Sequence, residues 1–505
     1  MLRRNVVVNL VGRGIALALQ ALLIPFYLHI LGVDAVGLIG FYTTMFTALG
    51  VIEYAIGTMI MREMAKLSEL SDGAQLQRDL LRTTELLYVV SALAVGMAIT
   101  IAAPAIVHIW LSRSALGQDT LSSCVVLMGW TVTLQLFVSL YLNVSNGLER
   151  QLRSNILSIA LACARGFGAV IVLLFVSATV EAYFVAQLAA VSSILIISAI
   201  TVWYSLPQAA HRALVRPGLF LSTWHETRAL TGTAILFVLL SQADKLIASS
   251  LLPLGEFGYY VIAGMIASLM WTIYGSIGTA LMPRFTRLVT LRAEDRVRIL
   301  FHDATQFMGL ILLPIAAVAI FHAEPLIFLW TGDGSIAART VPLVVLLTTG
   351  TLLACLTCAS NSLQLAAGFT DLNLLNNIVW IVALPIAFYA TRQYGAEGAT
   401  VMWLVSGLVN LTVAPTLFHR RMLKGEQTRW YLIDLGIPAG VAAVVGSGSM
   451  WLTGAEASRP LIGLQLGLVW AVTSLAVLLV CPALRLVALG VARRSLALLH
   501  PSTDR

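Results

Sequence analysis

Charge is what this sequence has least of. Only 11% of its 505 residues are Asp, Glu, Lys or Arg, where soluble domains run near a quarter. In contrast, 59% are hydrophobic and the mean hydropathy is +0.90. One soluble core could not hide that many apolar side chains, so the composition excludes a soluble globular domain and points to an integral membrane protein. Cysteine is also scarce. The five cysteines show no disulfide spacing, and the one CxxC, Cys355 and Cys358, sits in the apolar run TLLACLTCAS with no second ligand pair nearby. Zinc takes about four ligands, so the pair reads as small packing residues.

Enzyme motifs are absent. His225-Glu226 lacks the second histidine of H-E-x-x-H, and there is no GxGxxG, P-loop or D-x-D pair. No extramembrane stretch is long enough for a globular catalytic domain; the longest are 62–83, 207–229 and 482–505. No catalytic residue, metal or cofactor is expected. The start, with Arg3-Arg4, imitates a signal peptide, but no A-x-A-like site follows and Arg13 interrupts the apolar stretch. It reads as a first transmembrane helix.

What is present is a series of apolar runs. A helical span needs about 20 mostly apolar residues. That ruler finds fourteen candidates: 9–30, 36–61, 84–107, 121–143, 154–176, 182–206, 230–252, 258–282, 299–321, 340–362, 372–391, 396–418, 430–452 and 461–481. The predicted fold is all-α. With the N-terminus inside, 24 of the 31 Lys and Arg fall in inner segments and four, Arg113, Arg339, Arg392 and Arg459, in outer ones. This asymmetry follows the positive-inside rule, and both termini are expected on the cytoplasmic side. The pI of about 9.3 therefore reports orientation against an anionic leaflet and not nucleic acid. Segment 62–83 is expected to form an amphipathic helix on the inner surface.

The chain also repeats itself. Ile56-Gly57-Thr58-x-x-Met61 recurs as Ile277-Gly278-Thr279-x-x-Met282, Gly147 with Asn155 recurs as Gly368 with Asn376, and AAPAIVHIW around Pro104 recurs as AEPLIFLW around Pro325. Each pair is offset by 221 residues. A repeat of six spans keeps the same sense through the membrane, so the two copies are related by an axis along its normal. The expected organisation is an N-lobe at 1–206 (spans 1–6), a cytoplasmic linker at 207–229 and a C-lobe at 230–418 (spans 7–12). Two additional spans follow at 419–481, then a cytoplasmic tail at 482–505. Lobes of this kind enclose a central cleft that serves transport by alternating access.

Five ionisable residues lie well inside spans: Arg13, Glu53, Arg165, Asp244 and Lys245. A charge near the bilayer centre costs on the order of 3 kcal/mol, so such residues face a cavity or a partner. Arg13 and Glu53 lie within a few turns of the inner surface, where pairing, snorkelling and function are all open. Arg165, in ALACARGFGAV, sits near the midplane, and Gly166 and Gly168 beside it allow close approach of another backbone or a ligand. Asp244 and Lys245 are adjacent and point about 100° apart on a helix, poorly placed to neutralise each other. Lys245 shares a face with Gln242, Ser249 and Ser241. Arg165, Lys245, Gln242, Ser241 and Arg13 are the candidate substrate-binding residues, and diphosphate is the anion that Arg and Lys suit. Asp244 and Glu53 are candidate ion-coupling residues, for H+ or Na+. A structural pair between Asp244 and a residue such as Arg165 is the alternative.

Several stretches are familiar. NLVGRGIALALQALLIPFYLHILGVDAVGLIGFY, with Pro25, Tyr27, Leu31-Gly32 and Gly37, resembles the opening of polysaccharide-biosynthesis flippases. QADKLIASSLLPLGEFGYY at 242–260, MPRFTRL at 282–288 and EPLIFLW at 324–330 extend the match. The resemblance is to the multidrug/oligosaccharidyl-lipid/polysaccharide exporter superfamily, and within it to bacterial O-antigen flippases. It implies export of an undecaprenyl-diphosphate-linked oligosaccharide, an O-antigen or other surface polysaccharide repeat for lipopolysaccharide biosynthesis. The movement would run from the inner to the outer leaflet of the cytoplasmic membrane. Implied partners are that glycan, membrane lipids, a coupling ion and the polysaccharide polymerase machinery. Drug/cation antiport and lipid II flipping on the same scaffold are the alternatives. A membrane polymerase or ligase ranks behind them, because the outer loops here are short.

Overall fold

The computed structural model describes residues 2–70, 73–111, 113–209, 211–221, 240, 242–369, 371–452 and 458–485. Within these, side chains are described except at 2–18, 20, 51–52, 54–55, 371–376, 414 and 452. The described residues are helical throughout, with no strand among them. Eleven helices are long and apolar enough to cross a bilayer. The other three of the fourteen candidates are not separate spans among these eleven. The first two lie in one long element, the seventh is described only at 240 and 242–252, and the eleventh lies in a helix whose first side chains are not described.

The chain forms two compact units, Met1–Gly258 and Tyr259–Arg505. In the first, α1 (Leu2–Leu67) changes direction at Gly32, whose φ of 82° lies in the left-handed region. Glycine enters that region without a Cβ clash, so one residue separates two spans where a loop was expected. There follow α2 (Gly73–Trp110), α3 (Gln118–Gly147), α4 (Gln151–Phe175), α5 (Val180–Ser205) and a helical stretch α6 at 242–251. Helix α3 lies centrally, packed on α1, α2 and α5, while α4 packs on α1 and α5. Met59, Ile60, Met64, Leu80, Phe137, Leu140 and Val202 form a core among them. Large apolar side chains such as Ile101 (74% exposed) and Phe175 (81% exposed) point away from it, as on a lipid-facing surface.

Segment 62–83 does not form a separate surface helix. Residues 62–67 finish α1, and α2 begins at Gly73. Several of its polar residues, Glu63, Gln77, Asp79 and Thr83, are buried, while Arg62, Lys66, Glu69 and Arg82 stay exposed. Asp79 is fully buried, pairs with Arg216 Nε at 2.9 Å and accepts the Leu214 backbone N–H at 2.8 Å; Thr83 Oγ1 accepts the Arg216 N–H, also at 2.8 Å. A chain segment some 130 residues away thus covers α2, which a local periodicity cannot register.

The second unit holds α7 (Leu254–Thr290, most of its length), α8 (Glu294–Phe321), α9 (Ala323–Thr331), α10 (Gly334–Cys355), α11 (Cys358–Ala366), α12 (Asp371–Ala399) and α13 (Val401–Arg421). After them come α14 (Gln427–Gly448), which includes a π-helical turn at Trp430–Gly436, and α15 (Arg459–Val480). The two C-terminal helices pack on α8. Phe285, Phe301, Met308, Leu312, Phe418 and Trp430 form the core. Repeat glycines mark equivalent helix contacts in the two units: a Cβ on Gly57 would strike Asn143 of α3, and one on Gly278 would meet Cys358 and Ser362 of α11. Cys355 and Cys358 are buried free thiols, and among the described residues no cluster of metal-ligating side chains occurs.

Candidate cation-lined cavity

Arg165 opens onto a cavity of about 380 Å³ in the first unit, bounded by α1, α4 and α5. Its guanidinium is held at two atoms: Nε donates to Gln187 Oε1 at 2.6 Å and Nη2 donates to Tyr42 Oη at 2.7 Å. The Tyr42 ring also takes the cation on its face, 5.4 Å from Cζ to the centroid. Gln187, 2% exposed, returns a bond from Nε2 to the Arg165 carbonyl at 3.2 Å, which fixes the amide orientation. Tyr27 Oη donates to the Gly166 carbonyl at 3.1 Å and stacks edge-on against Tyr183 at 5.1 Å. A Cβ on Gly166 would strike Leu19 and Leu23, so this glycine lets α1 and α4 close up; Gly168 faces open space. Four aromatic rings, Tyr27, Tyr42, Phe46 and Tyr183, thus stand in the cavity wall among aliphatic side chains.

The electrostatics of this arrangement are one-sided. Both partners of the guanidinium are neutral, and among the described residues no carboxylate forms an ion pair with Arg165. A cation within a membrane span is expensive unless an anion or water accompanies it. Fixed neutral dipoles hold the guanidinium in place and leave its charge available. The cavity can take an anion.

The other expected site residues lie elsewhere. Lys245 Nζ donates to Gln242 Oε1 at 3.1 Å, one helical turn back, so these two do share a face of α6. Neither lines the Arg165 cavity. Asp244 is buried in the same stretch, and Ser249 accepts a hydrogen bond from Trp110 Nε1 at 3.0 Å. Glu53 is half-buried, accepts from Asn143 Nδ2 at 3.5 Å, and lines a separate pocket of about 90 Å³ with Tyr88, Ser91 and Thr133. The Arg13 side chain and Ser241 fall outside the described residues.

Sequence reasoning missed Tyr42, Tyr183 and Gln187 as lining residues, and it missed a polar cluster in the second unit altogether. There His302 Nδ1 faces Asp434 Oδ2, and His302 Nε2 faces Glu426 Oε2 at 3.2 Å. Asp434 is fully buried and His302 is 3% exposed. Both lie near the ends of candidate spans, where polar residues attract no notice. An acidic residue buried by a π-helical turn leaves no mark in periodicity.

Comparison with known proteins places this geometry in a context. The structure resembles that of lipid II flippase MurJ in an inward closed conformation, with 13% identity and a TM-score of 0.68, covering 94% of this chain and 97% of that one. It also resembles an inward-facing multidrug resistance MATE family transporter of the MOP superfamily (11% identity, TM-score 0.63, covering 82% and 96%). A third likeness is to the MATE multidrug transporter DinF-BH (14%, 0.59, 83% and 95%). At these identities the likeness is one of fold, a transporter fold. No curated protein sequence matches the chain. The model of the family described as polysaccharide biosynthesis protein matches residues 2–289, more than half of the sequence, and this multi-pass membrane protein belongs to that family.

Proposed function

We propose that the protein is a flippase that moves an undecaprenyl-diphosphate-linked oligosaccharide, an O-antigen or other surface polysaccharide repeat, across the bacterial cytoplasmic membrane. The observation that carries this reading is Arg165, a cation within the membrane held by two neutral partners at the wall of a 380 Å³ cavity. A diphosphate supplies the missing negative charge, and guanidinium is its natural partner. Tyr27, Tyr42 and Tyr183 are flat surfaces suited to sugar rings or the polyprenyl chain. Lys245 with Gln242, together with Ser241 and Arg13, forms the rest of the proposed substrate path. Asp244 and Glu53 are proposed coupling groups for H+ or Na+.

In this reading 1–206 and 230–418 are six-span lobes that alternate access, 207–229 is the cytoplasmic linker and 419–481 supplies two further spans. Both termini are cytoplasmic. Family membership supports a polysaccharide precursor over a drug. The flippase likeness covers 94% of the chain and the multidrug one 82%, a difference close to the length of the last two spans. The test is deletion of the gene followed by analysis of lipid-linked intermediates. Accumulation of undecaprenyl-diphosphate oligosaccharide on the inner leaflet, with loss of surface polysaccharide, is expected. Normal surface polysaccharide with altered drug sensitivity would overturn the reading in favour of antiport.

A further inference from the structure

The cluster around His302 permits a count of protons. Both ring nitrogens face carboxylate oxygens, Nδ1 toward Asp434 Oδ2 and Nε2 toward Glu426 Oε2. Each of these contacts needs a hydrogen between its two heavy atoms, since two lone pairs repel. A neutral imidazole has one N–H. The arrangement therefore holds two protons among three groups, either as an imidazolium between two carboxylates or as a neutral imidazole beside one carboxylic acid.

The surroundings locate the second proton. Gln306 Nε2 donates to Asp434 Oδ1 at 2.7 Å, and its Oε1 accepts the Ala483 N–H at 3.1 Å, so its amide cannot be reversed. Asp434 Oδ1 is thereby fixed as an acceptor, and any proton on this carboxyl sits on Oδ2, facing His302. Glu426, 20% exposed, lies beside two cations, Arg298 at 3.9 Å and Arg429 at 4.0 Å, so the positive charge around the cluster is gathered at its end. Asp303, His419 and Cys481 complete the titratable groups around the cluster; His419 is occupied at Nδ1 by the Pro415 carbonyl at 2.7 Å. The enclosed contact, away from those two cations, is the one between His302 Nδ1 and Asp434 Oδ2.

We propose that Asp434, His302 and Glu426 form a proton-binding site, with Glu426 at its open end and Asp434 at its closed end. Loss of the shared proton leaves one N–H for two carboxylates. If the ring keeps it at Nδ1 for Asp434, the Glu426 contact becomes repulsive; if at Nε2, Asp434 is left as a buried charge with only Gln306. Either way one of the ties between α8 and the 426–436 segment is released by deprotonation. The π-helical turn at Trp430–Gly436 that carries Asp434 fits such a role, because these turns occur frequently at functional sites. The site deepens the coupling part of the reading above and rests on none of its substrate part.

The test uses the full-length protein in lipid nanodiscs, with histidine ring nitrogens labelled by 15N, titrated from about pH 5 to pH 8 by magnetic resonance. His302, assigned by its loss in His302→Gln, is expected to lose a proton in one step. Asp434→Asn retains an amide that can bond both neighbours, and should move that step by more than about one pH unit. The thermal midpoint of the wild type should fall as pH rises through the step, because the folded state then gives up the bound proton, and the fall should flatten in Asp434→Asn. A protonation state of His302 that is constant across the window, or a step unmoved by Asp434→Asn, would overturn the proposal and leave the cluster as an anchor for the last two helices. Because no substrate is present, failure here leaves the flippase reading untouched.

Discussion

In the first unit a half-buried cation, Arg165, is held by a phenol and an amide; in the second a buried carboxyl group, Asp434, faces an imidazole that faces another carboxyl group. Both lie in membrane-spanning helices, where an uncompensated charge is costly. The second unit answers that cost within itself, charge against charge and amide against carboxylate. The first answers it only with dipoles. A half-buried charge with neutral partners beside a cavity is what the proposed function uses, with the compensating charge brought by the substrate. A buried carboxyl group tied to an imidazole and an amide has no cavity beside it to fill, and the proposal above assigns it a proton. The same cost therefore separates a ligand site from an internal one.

The comparison can be broken, starting with its strongest side. His302→Leu removes the imidazole and leaves Asp434 buried beside Gln306 alone. It is expected to cost about 3–5 kcal/mol of stability, as removal of one partner of a buried pair does, seen as a large drop in the thermal unfolding midpoint in detergent. Arg165→Gln should do the opposite: stability nearly unchanged, and flipping of lipid-linked oligosaccharide in proteoliposomes reduced by roughly 10- to 100-fold, the value of one or two charge-assisted hydrogen bonds. An Arg165→Gln protein that transports normally would remove the cavity from the substrate path. Tyr42→Phe takes one hydrogen bond from the guanidinium but keeps the ring. A loss of about 1 kcal/mol, or roughly fivefold in transport, is expected, with the effect absent in an Arg165→Gln background. The smallest effect belongs to Lys66→Met, since the exposed Lys66 ammonium pairs at 3.5 Å with the mostly buried Glu63 one turn away. Less than about 0.5 kcal/mol and unaltered transport should result, giving a baseline for the other three.

Legibility in the sequence followed the range of the interaction. Gly32 stood out as part of the Leu31-Gly32 pair, and its left-handed backbone explains why a glycine is needed there. Arg165 was legible by depth alone, because a bilayer penalises charge wherever it occurs. Tyr42 was not, since it meets Arg165 across 123 residues of chain and nothing local distinguishes it from other span aromatics. His302 and Asp434 are 132 residues apart, and each sits where a span was expected to meet water. Segment 62–83 misled for the same reason: Asp79 and Thr83 face a partner from 206–216 and not solvent.

The sequence by itself determined the class of molecule: a helical, multi-pass membrane protein. The bilayer reads these features locally, about twenty residues or one charge at a time, so they need no tertiary information. Only the tertiary structure decided which buried charges have counter-charges, because compensation depends on groups brought within about 3 Å from distant parts of the chain.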